Sequence, residues 1–195
     1  LEDVVAGRSE DEDLEEREVR ELAHLGREEG VVDQDEHALV ERAFRLDELT
    51  AFEVMTPRVD IFAWPADRRL EEIVPELGSV PYSRVPVFGE SIDDVTGILY
   101  VREAYEVWAA GRRDVTLGSL AREPFFVPGS MSLARLLGDF QARRIHMGIV
   151  ADEYGGTDGL VTLEDVLEEL VGEIVDETDI DEDPLLRIGR DALVA

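Results

Sequence analysis

An internal repeat constrains the fold of this chain more than any other feature of its sequence. Residues 84–90 (RVPVFGE) align with residues 146–152 (HMGIVAD), and residues 97–100 (GILY) align with residues 159–162 (GLVT), both at an offset of 62. Upstream, Trp64, Pro65 and Leu70 align with Val127, Pro128 and Leu133 at an offset of 63, so one residue is lost between the copies. The chain therefore holds two copies of one unit of about 60 residues, the self-similarity typical of repeated supersecondary units.

Each copy predicts the order strand, helix, strand, strand, helix. In the first copy the predicted elements are Ile61–Trp64, Leu70–Leu77, Arg84–Phe88, Val95–Leu99 and Arg102–Ala110. In the second they are Phe125–Val127, Leu133–Arg143, His146–Ala151 and Thr157–Val161, followed by a helix that begins at Thr162. The apolar positions of this last helix recur at helical spacing, namely Leu163, Val166, Leu167, Leu170, Val171 and Ile174. This spacing predicts one buried face, with the glutamates on the other.

Thr162 and Asp165 stand at the N-terminus of this helix with the spacing T-x-x-D. The spacing favours a capping pair, in which the two side chains satisfy free backbone N–H groups. The same atoms also suit a ligand, because an ionised Asp165 can accept from both hydroxyls of a ribose while Thr162 and the helix N-terminus face a phosphate. In the first copy the counterparts are Tyr100 and Glu103, which fit such a corner less well, so we expect one competent pocket and an empty or weak counterpart.

The formal net charge of −28 is concentrated at the two ends of the chain. Residues 1–50 hold 18 acidic residues against 6 Arg, and residues 152–183 hold 14 acidic residues and no Arg. This excess argues against nucleic acid or an anionic membrane surface as a partner, because phosphates would be repelled. It would attract divalent cations, although a solvated acidic surface explains a Glu-rich helix equally well. The chain has no Cys, which excludes disulfides and thiolate metal sites and permits a reducing cytosol.

The ends of the chain predict helices and a linker. Three capping-box patterns predict three helix N-termini before the first repeat. They are Ser9 with Glu12, Asp33 with Glu36, and Thr50 with Glu53. After the second repeat, residues 176–184 form an acidic, flexible stretch that lacks the Gly and closing Glu of an EF-hand. The chain starts without Met and no apolar run could span a bilayer, so we expect a soluble piece of a longer protein.

The amino-acid sequences of four segments resemble those of a known family. These are VMTPR at 54–58, YSRVPVF at 82–88, DEYGG at 152–156 and GLVTLEDV at 159–166. The tandem unit is similar to a pair of CBS domains, and the last two segments match the CorC/HlyC and CNNM group of magnesium-transport proteins. The resemblance covers about residues 33–176. It implies an α+β fold, a tandem CBS-domain pair of two β-α-β-β-α repeats with small sheets flanked by helices, preceded by an acidic helical segment.

The resemblance also implies a domain order and a ligand site. Residues 1–51 would be the acidic helical segment, 52–113 the first CBS repeat, 114–176 the second, and 177–195 an acidic linker and the start of a truncated C-terminal domain. An adenine nucleotide, preferably ATP with Mg²⁺ bound through its phosphates, would lie between the repeats. The implied nucleotide-binding residues are Thr56, Tyr82, Ser83, Arg84, Pro86, Thr162 and Asp165, with no metal held by protein side chains alone. For Arg84 a salt bridge to a nearby carboxylate remains the alternative, and Arg58 is a weaker phosphate candidate.

We therefore expect the cytosolic regulatory module of a CorC-like transporter of magnesium or another divalent cation, on the cytoplasmic side of the cell membrane. Its expected partners are ATP, a second copy bound through the CBS pair, and its own transmembrane domain, with nucleotide binding signalled by rearrangement of the dimer. The alternative is a soluble cytosolic nucleotide sensor without a membrane domain. GxSxG, Walker and HExxH motifs are absent, so we do not expect an enzyme, and turnover of ATP would favour a third, enzymatic function.

Overall fold

The computed structural model describes the chain from residue 10 to residue 172, with side chains from residue 14. The predicted cap at Ser9, residue Ile174, the acidic linker and the predicted strand Leu185–Ala195 lie outside the described residues. Three helices come first, α1 Glu10–Glu28, α2 Gln34–Glu48 and α3 Ala51–Val54. The first repeat contributes β1 Thr56–Pro57, a 3-10 turn Arg58–Asp60, β2 Trp64–Pro65, α4 Leu70–Leu77, β3 Arg84–Phe88, β4 Val95–Tyr100 and α5 Val101–Ala109. The second contributes α6 Leu117–Leu120, β5 Phe126–Pro128, α7 Leu133–Arg143, β6 Met147–Ala151, β7 Thr157–Thr162 and α8 Leu163–Val171.

The predicted α+β class and the repeated order of elements are confirmed. Helices α4 and α7 begin and end at the predicted residues, and most other bounds lie within one residue. The predicted strand Ile61–Trp64 is wrong at its start. The Ile61 N–H closes the 3-10 turn on the Arg58 carbonyl, and strand pairing with β3 begins only at Trp64.

The predicted burial of one face of α8 is only partly correct. Val166 is fully buried, but Leu167 is 39% exposed and Val171 is 47% exposed. Helix α8 packs on α2, α7 and β7, and these neighbours do not reach the side of the helix that carries Leu167 and Val171. This side therefore remains an apolar strip on the surface.

Each sheet pairs with the segment that leads into the other repeat, here called the entering segment of that repeat. The three-stranded sheet has the order β2-β3-β4, and the four-stranded sheet has the order β1-β7-β6-β5. Strand β1, which enters the first repeat, pairs with β7 of the second, where Thr56 lies opposite Leu160. Reciprocally, Arg122, which enters the second repeat, forms a β-bridge with Ile98 of β4. Each repeat thus packs against a segment of the other. The exact domain bounds at residues 52, 114 and 176 remain a prediction.

The hydrophobic cores follow the same exchange. Leu117 of α6 is buried with Trp64 and Leu70 in the core of the first repeat, whereas Leu46 and Ala51 are buried in the core of the second. A third cluster joins the two sheets and contains the buried residues Val95, Ile98, Ile149 and Leu160. Because the core of the first repeat is completed by Leu117 of the second, and the core of the second by residues that precede the first, the pair forms one packing unit.

Two glycines at equivalent repeat positions allow the entering segments to cross. A Cβ added at Gly159 would lie 2.6 Å from the Thr56 carbonyl oxygen and 2.6 Å from the Met55 sulfur. A Cβ at Gly97 would lie 2.6 Å from Ala121 Cβ. Side chains at these positions would push the crossing segments away from the strands, so glycine fixes how closely β1 approaches β7.

Helix α2 of the acidic segment packs against the second repeat, and α1 packs on α2. Helix α2 begins with the predicted capping box, in which Asp33 Oδ1 accepts from Glu36 N at 2.8 Å and Glu36 Oε2 accepts from Asp33 N at 3.0 Å. Helix α2 contacts α7 and α8, and the Arg42 guanidinium donates to the Val171 carbonyl at the end of α8. Between residues 10 and 172, no helix has both the length and the hydropathy needed to cross a bilayer.

Candidate functional site

A cavity of about 390 Å³ lies between the two repeats. All seven predicted site residues border it, namely Thr56, Tyr82, Ser83, Arg84, Pro86, Thr162 and Asp165. It is also bordered by Asp60, Ile61, Phe62, Pro81, Met147, Leu160 and Glu164. The volume falls in the range typical of small-molecule sites. The structure thus brings the predicted residues together, while their roles in binding remain a prediction.

The exchange of segments is what assembles this cavity. Pairing of β1 with β7 places Thr56 beside Leu160, so a residue from the first repeat borders the second repeat's strand. Arg84 and Pro86 come from β3, which begins directly after the loop that carries Tyr82 and Ser83. The site therefore depends on both repeats at once, as the family resemblance implies.

Thr162 and Asp165 form the capping box that their spacing predicts. Thr162 Oγ1 accepts from Asp165 N at 3.2 Å, and Asp165 Oδ2 accepts from Thr162 N at 2.7 Å. The second carboxylate oxygen, Asp165 Oδ1, accepts no hydrogen bond from any residue between 14 and 172. The cap therefore fixes the orientation of the carboxylate at the edge of the cavity and leaves one oxygen available to a ligand, so the two interpretations of this pair are compatible.

Arg84 carries an unsatisfied donor at the cavity. Its Nε is buried and has no hydrogen-bond partner in the described part of the chain. Its side chain is 23% exposed, and its Nη1 lies 3.9 Å from Glu164 Oε1, a long contact to an exposed carboxylate. An unpaired buried donor costs free energy, about 1–3 kcal/mol, that an anionic ligand would recover. The alternative of a salt bridge for Arg84 therefore accounts for only part of its bonding capacity.

Part of the cavity's border is apolar. It is formed by Ile61, Phe62, Pro86, Met147 and Leu160. The Phe62 ring lies 5.8 Å from the Tyr82 ring and 5.3 Å from the Trp64 ring, so the aromatic wall is held by its neighbours. Such a surface suits a flat, largely apolar group such as a nucleobase, while the polar groups gather around Arg84, Thr162 and Asp165.

Several residues that border the cavity are not among the predicted site residues. Met147 and Ile61 fall within predicted strands, although both border the cavity. Asp60 and Phe62 lie in and after the 3-10 turn, where no periodic pattern marks them. For Met147, the repeat alignment could have served as a signal, because its counterpart Val85 directly follows the predicted site residue Arg84. Arg58 does not border this cavity and instead pairs with Asp93.

The equivalent position in the other half of the pair is nearly closed. A cavity of only about 20 Å³ remains there, bordered by Ile98, Tyr100 and Arg122 among others. The Arg122 guanidinium lies 4.4 Å from the Tyr100 ring centroid and forms an ion pair with Glu103. Tyr100 and Arg122 thus fill the space that Thr162 and Thr56 leave open, which agrees with the expectation of one competent pocket.

Comparison with protein families and curated sequences points to CBS domains. Residues 114–172 match the CBS domain family model. The UPF0053 protein sll1254 of Synechocystis is 41% identical over 181 residues, which cover 92% of this chain and 52% of that protein. The chain therefore spans about half the length of this curated relative.

Solved structures give the same result. The chain is similar to the CBS domain of a bacterial CNNM/CorC family Mg²⁺ transporter in complex with an inhibitor, with 38% identity and a TM-score of 0.77. That match covers 83% of this chain and 99% of the other. A CBS domain of the same family in complex with ATP is 40% identical with a TM-score of 0.66, and the match covers 70% of this chain and 96% of the other.

Proposed function

The chain belongs to the CBS-domain proteins of the CNNM/CorC family, and on that premise we propose that it is the regulatory module of a transporter of magnesium or another divalent cation. In this proposal it binds Mg-ATP in the cavity between its repeats and does not hydrolyse it. The observation that carries the proposal concerns Arg84, whose side chain borders the same cavity as the other six predicted residues and whose buried Nε has no hydrogen-bond partner in the described chain.

The apolar and the polar groups that border the cavity suit the two ends of an adenine nucleotide. The apolar wall around Phe62 and Leu160 would hold the base, and Asp165 Oδ1 would accept from the ribose hydroxyls. Arg84, Ser83 and the N-terminus of the nine-residue helix α8 would face the phosphates. A similar CBS domain of this family binds ATP, which supports the same ligand class here.

The charge of the cavity supports magnesium as part of the ligand. Its border carries three carboxylates, Asp60, Glu164 and Asp165, against the single guanidinium of Arg84. Free ATP would be repelled, and Mg²⁺ bound to its phosphates would reduce that repulsion. Residues 14–172 contain no group of three or more acidic or His side chains placed to hold a metal. The metal would therefore enter with the nucleotide, and Mg²⁺ and ATP would raise each other's affinity equally.

Transmission of the signal belongs to the same proposal. A homodimer would form through the CBS pair, where exposed apolar side chains on α5 and α8, such as Tyr105 and Leu167, offer a surface. Helix α8 starts at the cavity and ends at Arg42 of α2, so it would connect the nucleotide to the acidic helices. Through these helices a rearranged dimer would act on a transmembrane domain, with the module on the cytoplasmic side.

Calorimetry with ATP, ADP and AMP, each with and without Mg²⁺, tests the site. We expect Asp165→Ala and Thr162→Ile to weaken Mg-ATP binding at least tenfold, because they remove a ribose acceptor and block the phosphate corner. Glu36→Ala is the matched control, since it removes the carboxylate of an equivalent capping box on α2, remote from the cavity. Unchanged ATP affinity in both site variants would refute the assignment, and release of phosphate from ATP by the pure protein would refute a purely regulatory role.

A further inference from the structure

Glu164 brings together two basic side chains that come from different repeats. Its Oε1 lies 3.9 Å from Arg84 Nη1 and 4.0 Å from His146 Nδ1. Arg84 opens strand β3, and His146 directly precedes strand β6 at the equivalent position of the repeat. One carboxylate oxygen therefore marks a point that both side chains can reach.

This point lies at the mouth of the cavity. Glu164 borders the cavity and is 64% exposed at its side chain, whereas His146 stands just outside, next to the lining residue Met147, and is 45% exposed. The His146 backbone is held in place, because its carbonyl accepts from Leu163 N at 3.1 Å at the start of α8. The backbone of His146 is thus fixed beside a helix N-terminus, where negative charge is favoured.

We infer that His146 is a further nucleotide-binding residue that contacts the distal phosphates of the ligand. This inference rests on the proposed function. A phosphate oxygen at the place now taken by Glu164 Oε1 would lie within reach of both Arg84 and His146, after Glu164 turns away into solvent. Because His146 lies outside the cavity, it would reach the phosphates that emerge from it and miss the one next to the ribose.

The contact would set the preference for the length of the phosphate chain. A hydrogen bond to a charged oxygen at a half-exposed site is worth roughly three- to tenfold in affinity. ATP would gain this factor and AMP would not. Glu164 competes for the same donor, so a neutral side chain at 164 would leave the imidazole free for the ligand.

The test is calorimetry of the whole chain with Mg-ATP and with AMP at one fixed pH, using His146→Gln, His146→Arg and Glu164→Gln. We expect His146→Gln to weaken ATP binding three- to tenfold and AMP binding less than twofold. His146→Arg, which copies Arg84 of the other repeat, should strengthen ATP binding. In the Glu164→Gln background, the loss caused by His146→Gln should grow.

His24→Gln on α1 is the matched control and should leave both affinities unchanged, because His24 lies among the acidic helices. Equal losses for ATP and AMP in His146→Gln would indicate a structural role and overturn the inference, as would an unchanged ATP affinity. If the unaltered protein bound neither nucleotide, the proposed function itself would fall together with this inference.

Discussion

At the scale of one residue, Arg84 places a buried hydrogen-bond donor without an acceptor at the candidate site. Its Nε is removed from water and finds no acceptor in the described chain, while its outer nitrogens reach only one exposed carboxylate. Desolvation of this group on folding costs free energy that no intramolecular hydrogen bond offsets. We therefore expect this residue to lower the stability of the ligand-free protein and to raise its affinity for an anion.

Replacing Arg84 should separate these two effects. Arg84→Met keeps the long aliphatic stem and removes the unpaired donor, so the free energy of unfolding without ligand should stay constant or rise by about 1 kcal/mol. Binding of Mg-ATP should weaken at least tenfold. Thermal unfolding without nucleotide and calorimetry with it measure both quantities, and a strongly destabilised variant with normal affinity would contradict the role given to Arg84.

A second residue-scale prediction concerns Glu53, the carboxylate of the capping box at α3. Hydrogen bonds from the Thr50 hydroxyl and backbone N–H lower the pKa of Glu53 below its ordinary value of 4.5. Because the folded pKa is depressed, the stabilisation by this group is complete above the ordinary pKa and is lost as the pH falls through the lowered one. In an NMR titration, Thr50→Ala should move the pKa of Glu53 back toward 4.5, and an unchanged value would show that the hydroxyl contributes nothing.

At the scale of elements, the crossing of β1 over β7 decides whether the site exists. Only Gly159 lets the Thr56 carbonyl approach, because a Cβ there would lie 2.6 Å from its oxygen. The contact is with backbone, which cannot swing aside as a side chain can. The position of Thr56 at the cavity is therefore set by a residue that touches no ligand.

Gly159→Ala should damage both stability and binding. We expect the free energy of unfolding to fall by about 1–3 kcal/mol, as for other overpacked sites, and Mg-ATP affinity to fall with the displacement of Thr56. Gly138→Ala is the control, for which we expect the free energy of unfolding to rise. It lies in the middle of α7 with open space around its Cβ, so the variant should gain about 0.5–1 kcal/mol. Chemical denaturation of the two variants compares them directly.

The elements themselves could be predicted from the sequence, whereas their pairing could not. Helices α4 and α7 carry clear apolar periodicity, and the capping boxes at α2, α3 and α8 mark their starts. Strand β1 has only two residues, and its partner Leu160 lies more than 100 positions along the chain from Thr56. No local pattern encodes such a contact. For the same reason Asp60 and Phe62 were missed, because a 3-10 turn places them at the cavity.

At the scale of the whole molecule, helix α8 connects the cavity to the acidic helices. Thr162 caps its N-terminus and Asp165 lies in its first turn, while its last carbonyl, at Val171, accepts from Arg42 of α2. Gly172 follows with φ of 81°, and a Cβ there would lie 2.7 Å from the Arg42 guanidinium carbon. The Arg42 hydrogen bond thus joins α2 to the end of α8 opposite the cavity, and a side chain at Gly172 would have to displace the guanidinium.

Removing this contact should uncouple α2 from the cavity. In hydrogen exchange, Mg-ATP should increase the protection of the amides of α2 in the unaltered protein, and Arg42→Ala should abolish most of this increase. The affinity for Mg-ATP should change less than twofold, because Arg42 does not border the cavity. Arg45→Ala on the same helix is the control. Full retention of the protection in Arg42→Ala would show that the signal reaches α2 by another route.

The exchange of entering segments has a consequence for the history of the chain. A single ancestral copy would have had its opening segment extended away from its own core, with a gap where a twin's segment belongs. Such a copy would be complete only beside a second copy. Replacement of one copy by an unrelated one would then disrupt both, because the entering segment of the replacement would not fit the sheet and core of the remaining copy.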